Sequence, residues 1–262
     1  LDKSTEVELE TSDNTVSIVA GKTERPSKEV VISYPLTQDE NIVANITGAY
    51  LIGYDIIRIK AKTTIPAEDR EKIRNSMRRL VGMEIVEEDS SNINVQFLLD
   101  AATLNPQKIL KRISSIALGM FTDISSSLIS DDRSNLQTLG HRDDEVDRQY
   151  FLLVRLIRST ISDKRLATAF HLENIDVLDY RIAANLLETA GDTIIELAHA
   201  LTELPLSKSE MKNFYELSAE IENIHQKAIT SFIENNRKLA IEAITFHKNY
   251  QKKIQLKIFL II

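Results

Sequence analysis

The sequence predicts an α+β amino-terminal region followed by an all-α antiparallel helical bundle. Short apolar runs of period two, punctuated by turn residues, fill residues 1–104. Apolar positions three and four apart fill residues 105–262. The texture changes at Asn105-Pro106, and the charge balance changes with it: 12 basic and 18 acidic side chains before, 20 and 21 after. Three stretches follow: a β-hairpin region over 1–36, a small α+β segment over 37–104, and a bundle over 105–262.

In the first stretch, Glu6-Val7-Glu8-Leu9-Glu10 alternates, Asp13-Asn14 supplies a turn, and Val16 to Val19 returns as a hairpin partner. Val30 to Tyr34 reads as a strand ended by Pro35. Asp39 to Tyr50 has helical spacing in Ile42, Val43, Ile46 and Tyr50, stopped by Gly53. Asp55 to Lys62 alternates as a strand. Pro66 opens a helix with Ile73, Met77 and Leu80 on one face and Arg70, Arg74, Arg78 and nearby Arg79 on another. Glu84 to Glu87 and Ile93 to Leu99 read as strands. Pro106 then starts a helix carrying Ile109, Ile113, Ile116, Met120, Ile124 and Leu128. A second runs from about Ser134 to Ile161, a third from about Asn174 to Leu204, a fourth from about Ser209 to Glu234, and a fifth starts near Arg237. Long helices with short links predict antiparallel packing. Ser127-Leu128-Ile129 with Arg133 is echoed by Ser231-Phe232-Ile233 with Arg237, so a three-helix unit followed by an incomplete second one is expected.

Composition narrows the chemistry. With 43% hydrophobic and 27% charged residues, the 262-residue chain can bury a core. It has no cysteine, which excludes disulfides, thiolate metal sites and a thiol nucleophile. A net charge of −7 opposes general nucleic-acid binding. No uninterrupted apolar run reaches the ~18 residues of a membrane helix, and no signal peptide is visible, so a cytoplasmic protein without membrane insertion is expected. Because the chain opens on Leu1 and its last residues continue as an apolar helix, sequence missing at both ends is also expected. Glycine-rich phosphate loops, a Rossmann fingerprint and G-x-S-x-G are absent, and no enzymatic activity is expected.

Charge on a bundle helix is ordinarily solvated surface. Asp143 and Asp147, however, lie one turn apart beside the apolar stripe Val146, Tyr150, Val154, Ile157. Glu188 and Asp192 repeat that spacing next to Ala184, Gly191, Ile195 and Ala198. In an antiparallel hairpin, facing residues share a midpoint. Asp143 with Asp192 and Asp147 with Glu188 do so, and the midpoint falls inside the expected loop 163–172. Four carboxylates at one level must be neutralised by a multivalent cation with oxygen ligands, by protonation, or by turning outward. Gly191 costs ~1 kcal/mol against Ala within a helix, which suggests a close approach there. A rival pattern, Glu196-x-x-His199 with Glu222-x-x-His225, has the form of a di-iron carboxylate bundle. Its midpoint, 210.5, falls past the Pro205 break near 206, a register mismatch of about 9 residues, or ~13 Å along the axes. The arginines of the second helix read as a solvated basic face or an anion- or partner-binding one.

Asp143-Asp144-Glu145-Val146-Asp147-Arg148-Gln149-Tyr150 and Leu187-Glu188-Thr189-Ala190-Gly191-Asp192 resemble the acidic motifs of the PhoU family of phosphate-uptake regulators. The resemblance covers about residues 106–262. The amino-terminal part resembles archaeal-type members that carry a SpoVT/AbrB-like hairpin module, of which Leu1 to Lys22 looks like the second half. The resemblance implies a negative regulator of phosphate uptake, built of three-helix units. It implies contact with the phosphate ABC transporter and a homodimer or larger assembly. It further implies a divalent or trivalent metal, iron or zinc foremost, with Mg or Mn as alternatives, bound by Asp143, Asp147, Glu188 and Asp192. A DNA-binding regulator using the AbrB-like module is the alternative, which Glu6, Glu8 and Glu10 oppose. Thr189 and Thr193 depart from the family pattern. A shift of 104 sets His247 and Gln251 opposite Asp143 and Asp147, so one metal site rather than two is expected.

Overall fold

The computed structural model describes residues 7–12, 15–20, 27–37, 40–130 and 132–259. Strands β1 (Val7–Ser12) and β2 (Thr15–Ala20) form an antiparallel hairpin in which Leu9 faces Ile18. The Asp13-Asn14 turn lies outside the described residues. A separate four-stranded sheet has the order β3 (Glu29–Tyr34), β4 (Ile56–Ala61), β6 (Asn92–Phe97), β5 (Met83–Glu88). The β3–β4 pair is parallel; β6 runs antiparallel to both β4 and β5.

Helix α1 (Ile42–Ile52) crosses between β3 and β4, and α2 (Ala67–Arg79) between β4 and β5. Asn41 caps α1 by accepting hydrogen bonds from the Val43 and Ala44 amides, which have no partner inside the helix. Gly53 ends it at φ 92°, a left-handed conformation that costs glycine nothing. Ile46, Tyr50, Ile57, Ile59, Ile73, Leu80, Ile93 and Val95 are buried together as the core of this α+β unit.

The rest is helical: α3 (Pro106–Ser130), α4 (Leu139–Ser162), α5 (Lys164–Phe170), α6 (Asn174–Glu203), α7 (Lys208–Ile233) and α8 (Arg237–Phe259). Two expectations are refined. The second bundle helix opens with a 3₁₀ turn at Ser134–Thr138, and the expected loop 163–172 is mostly the short helix α5. Asp163 caps α5 through the Arg165 amide, and Leu166 and Phe170, one turn apart, are buried in the bundle core. Helix α3 has the length and composition to cross a membrane, although no uninterrupted apolar run of that length is present; half of its most apolar stretch is buried in the bundle. It packs against α4, α6 and α7. Its burial follows from the spacing of Ile109, Ile113, Met120, Ile124 and Leu128, all in the bundle core.

The internal echo has a structural counterpart. Ser127 donates to the Ile124 carbonyl and Ser231 to the Ala228 carbonyl, each at 2.8 Å. Each serine is buried near the end of its helix, and a long helix follows. Leu51, Phe97 and Phe151 pack against both the α+β core and the bundle core. Among them sits Arg155 of α4, only 3% exposed. Its guanidinium donates to the Tyr50 and Tyr54 carbonyls, both at 2.8 Å, and to Asp55 at 3.0 Å. It also lies over the Phe97 ring, 4.0 Å from the centroid.

Candidate metal centre

Helices α4 and α6 are antiparallel neighbours joined through α5, and their contact places the acidic pairs. Val146 is buried on α4; Ala184, Leu187 and Gly191 are buried on α6. The expected register sets Asp143 opposite Asp192, and Asp143 lies beside the adjoining Gly191. A Cβ built on Gly191 would lie 2.8 Å from Asp143 Oδ1 and 3.3 Å from Val146 Cγ1. A side chain at position 191 would displace the Asp143 carboxylate and crowd Val146, so glycine gives α4 its closest approach to α6 here.

The carboxylates act on one another through their charges. Burial and then the charges of Asp147, Asp192, Asp144 and Glu188 push the Asp143 carboxyl up to about 6. Asp147 is raised by burial and by Asp192 and Asp144, against the pull of Arg79. Glu188 is raised by burial, Asp192 and Asp147, against Thr189 and Arg181. Asp143, Asp147 and Glu188 are half-buried, and Asp192 is exposed at the rim. Asp143 Oδ1 is buried without a hydrogen-bond partner. A buried carboxylate oxygen lacking a donor is costly unless a proton or a cation meets it.

Two cations border the cluster. Arg79, on the last turn of α2, forms an ion pair with Asp147. Arg181 donates to the Tyr150 hydroxyl at 2.7 Å and lies over that ring. Among the described residues, no three Asp, Glu or His side chains are gathered tightly enough to hold a metal ion in their present rotamers. Asp147 is turned onto Arg79 instead. All four donors are carboxylates, the ligand type a hard cation takes, and the orphaned Asp143 oxygen lies against Gly191.

The rival motif comes apart. Glu196 and His199 are exposed on α6. Glu222 accepts from Thr122 Oγ1 at 3.1 Å, and His225 Nε2 lies 2.7 Å from Ser114 Oγ, both against α3. Burial lowers the His225 pKa. These contacts tie α7 to α3, and among the described residues the two Glu-x-x-His pairs do not form a group placed to hold a metal ion. In the second unit, His247 and Gln251 are exposed. The basic face of α2 is also largely paired: Arg70 and Arg74 share Glu88, and Arg79 holds Asp147. Sequence reasoning did not connect Arg79 with Asp147, nor did it single out Arg155. A charge inside Leu152-Leu153-Val154-Arg155-Leu156-Ile157 was the signal available for the latter.

Residues 110–201 match the PhoU domain family model. The matched segment runs from α3 to α6 and contains all four carboxylates and Gly191. It begins after the α+β unit, so the likeness of the amino-terminal hairpin to SpoVT/AbrB modules rests on sequence pattern alone. A search of curated proteins and a search of solved structures gave no match.

Proposed function

We propose that the protein is a regulator of phosphate homeostasis, a negative regulator of phosphate uptake that acts by protein contact rather than by catalysis. The observation that carries this is the PhoU match over the helices that carry Asp143, Asp147, Glu188 and Asp192. These four would hold a divalent or trivalent cation, iron or zinc foremost, with magnesium or manganese as alternatives. The cation supplies positive charge that the cluster lacks, and so fixes α4 against α6. To reach one centre the carboxylates would turn from their present rotamers, Asp147 away from Arg79. The surface fixed in this way is what a partner reads. Components of the phosphate ABC transporter are the proposed partners, together with a second copy of the chain, in the cytoplasm.

The test is phosphate uptake in cells lacking the protein. We expect uptake to stay high when phosphate is plentiful, to be repressed again by the wild-type chain, and to stay high with the Asp143→Ala, Asp192→Ala double variant. Uptake unchanged by loss of the protein would contradict the reading.

A further inference from the structure

The two edges of the four-stranded sheet are built differently. β5 carries Glu84, Glu87 and Glu88, and a register shift between Ile85 and Glu87 interrupts its ladder with β6. Acids and a bulge are devices that keep an edge strand from pairing with another chain. β3, the opposite edge, pairs with β4 along its whole length without a bulge, and its one charged side chain, Glu29, is held by Arg58. Among the described residues no strand pairs with the other side of β3. Glu29, Val31 and Ser33 are exposed there, Val31 at 48%.

The Lys28 carbonyl accepts from the Ile56 amide, so in the alternating ladder the even-numbered residues of β3 bond to β4. The amides and carbonyls of Glu29, Val31 and Ser33 therefore point to the open edge. This row is complementary to itself. A second β3, turned antiparallel about Val31, sets Val31 against Val31 and Glu29 against Ser33, and each pair exchanges both of its backbone hydrogen bonds. Moving the register two residues on would set Glu29 against Pro35, which has no amide to give. Charge fits as well. Ser33 neighbours Lys60 of β4, an exposed lysine with no ion pair among the described residues. Glu29 of one copy would reach across the small Ser33 of the other to its Lys60. Ile42 and Ile46 of α1 are buried with Ile32, Ile57 and Ile59, so α1 lies over β3 and β4. Joining two sheets at β3 brings two such helices to roughly 10 Å, a helix-packing distance that adds side-chain burial to the backbone bonds.

We propose that β3 is the self-association edge of this protein: two copies join β3 to β3, antiparallel and centred on Val31, into one continuous sheet. The occupant is a second copy of this chain, because the open row of β3 matches itself in hydrogen bonds and in charge. The proposal rests on the self-association in the proposed function and names its surface. It needs neither the metal nor phosphate.

The test is sedimentation of the full chain, without added metal or phosphate, beside Val31→Pro and Val31→Thr. Proline is tolerated at an edge position whose amide faces away from the ladder, and it removes the central donor. The wild type and Val31→Thr are expected at twice the 29.7 kDa of one chain, and Val31→Pro at that mass once, with the circular dichroism of the wild type. The chain has no cysteine, so an introduced one reports the register. Two copies of residue 31 would have Cα atoms about 5.5 Å apart, within disulfide range, and two copies of residue 33 about 13 Å apart, beyond it. Mild oxidation is expected to link Val31→Cys into a covalent dimer and to leave Ser33→Cys unlinked; this pair decides where Val31→Pro fails to fold. A monomeric wild type, a dimer that survives Val31→Pro, or linkage at position 33 as ready as at 31 overturns the proposal and leaves the phosphate reading standing. Phosphate uptake unchanged by loss of the protein removes that reading and leaves the β3 edge untouched.

Discussion

At the scale of single residues, Asp143 is the side chain under most tension. Its carboxyl titrates near 6 because burial and three cluster acids, with Asp144 beside it, oppose its charge. Above that pH the folded protein holds a charge that the unfolded chain solvates freely, so the group costs stability near pH 7. The cost fades as pH falls through 6 towards the ordinary carboxylate value. Holding a carboxyl up at about 6 corresponds to nearly 3 kcal/mol where no solvent reaches it; solvent reaches Asp143, and about 1 kcal/mol is the reasonable figure. We therefore expect Asp143→Asn to raise stability by ~1 kcal/mol at pH 7 in urea unfolding with chelator present. The gain should disappear by about pH 4. A variant less stable than wild type at pH 7 would mean that the carboxylate is paired after all. The approach of Asp143 to Gly191 was legible from spacing alone, because helical register converts sequence separation into facing positions. Arg79 was not, because its partner lies 68 positions away in another structural unit.

At the scale of elements, Arg155 governs how the α+β unit sits on α4. Its guanidinium satisfies two α1-end carbonyls and Asp55, and stacks on Phe97, all in a nearly dry setting. Removing one partner of such a buried network leaves the others unsatisfied. Arg155→Ala is expected to cost about 3 to 5 kcal/mol in urea unfolding and to split a single transition into two, as the α+β unit melts before the bundle. A loss below 1 kcal/mol would show that apolar contacts through Leu51, Phe97 and Phe151 suffice. The long helices were readable because their apolar periodicity persists over six or more turns and Pro106 and Pro205 mark breaks. The strand order was not readable. Period-two patterning locates strands but carries no information on which neighbours pair, and β6 inserts between β4 and β5. Helix α5 was missed as a loop although Asp163 and the Leu166–Phe170 spacing announced it.

At the scale of the whole molecule, the acidic pairs of the bundle and the α+β unit meet where Arg79 holds Asp147. The carboxylates cluster within the segment that matches the PhoU domain, and the α+β unit is latched to the same cluster. The central claim is that a multivalent cation completes this arrangement. The most direct measurement is thermal unfolding of the full chain, stripped with chelator and then supplied with Mn²⁺, Zn²⁺ or Fe³⁺, beside the Asp143→Asn, Asp192→Asn double variant. A ligand present at a hundred times its Kd stabilises by about 2.7 kcal/mol, which for a chain of this size raises Tm by roughly 5–10 °C. The account predicts that rise in the wild type and its loss in the double variant. A wild-type Tm indifferent to all three cations, or an equal rise in both proteins, would contradict it.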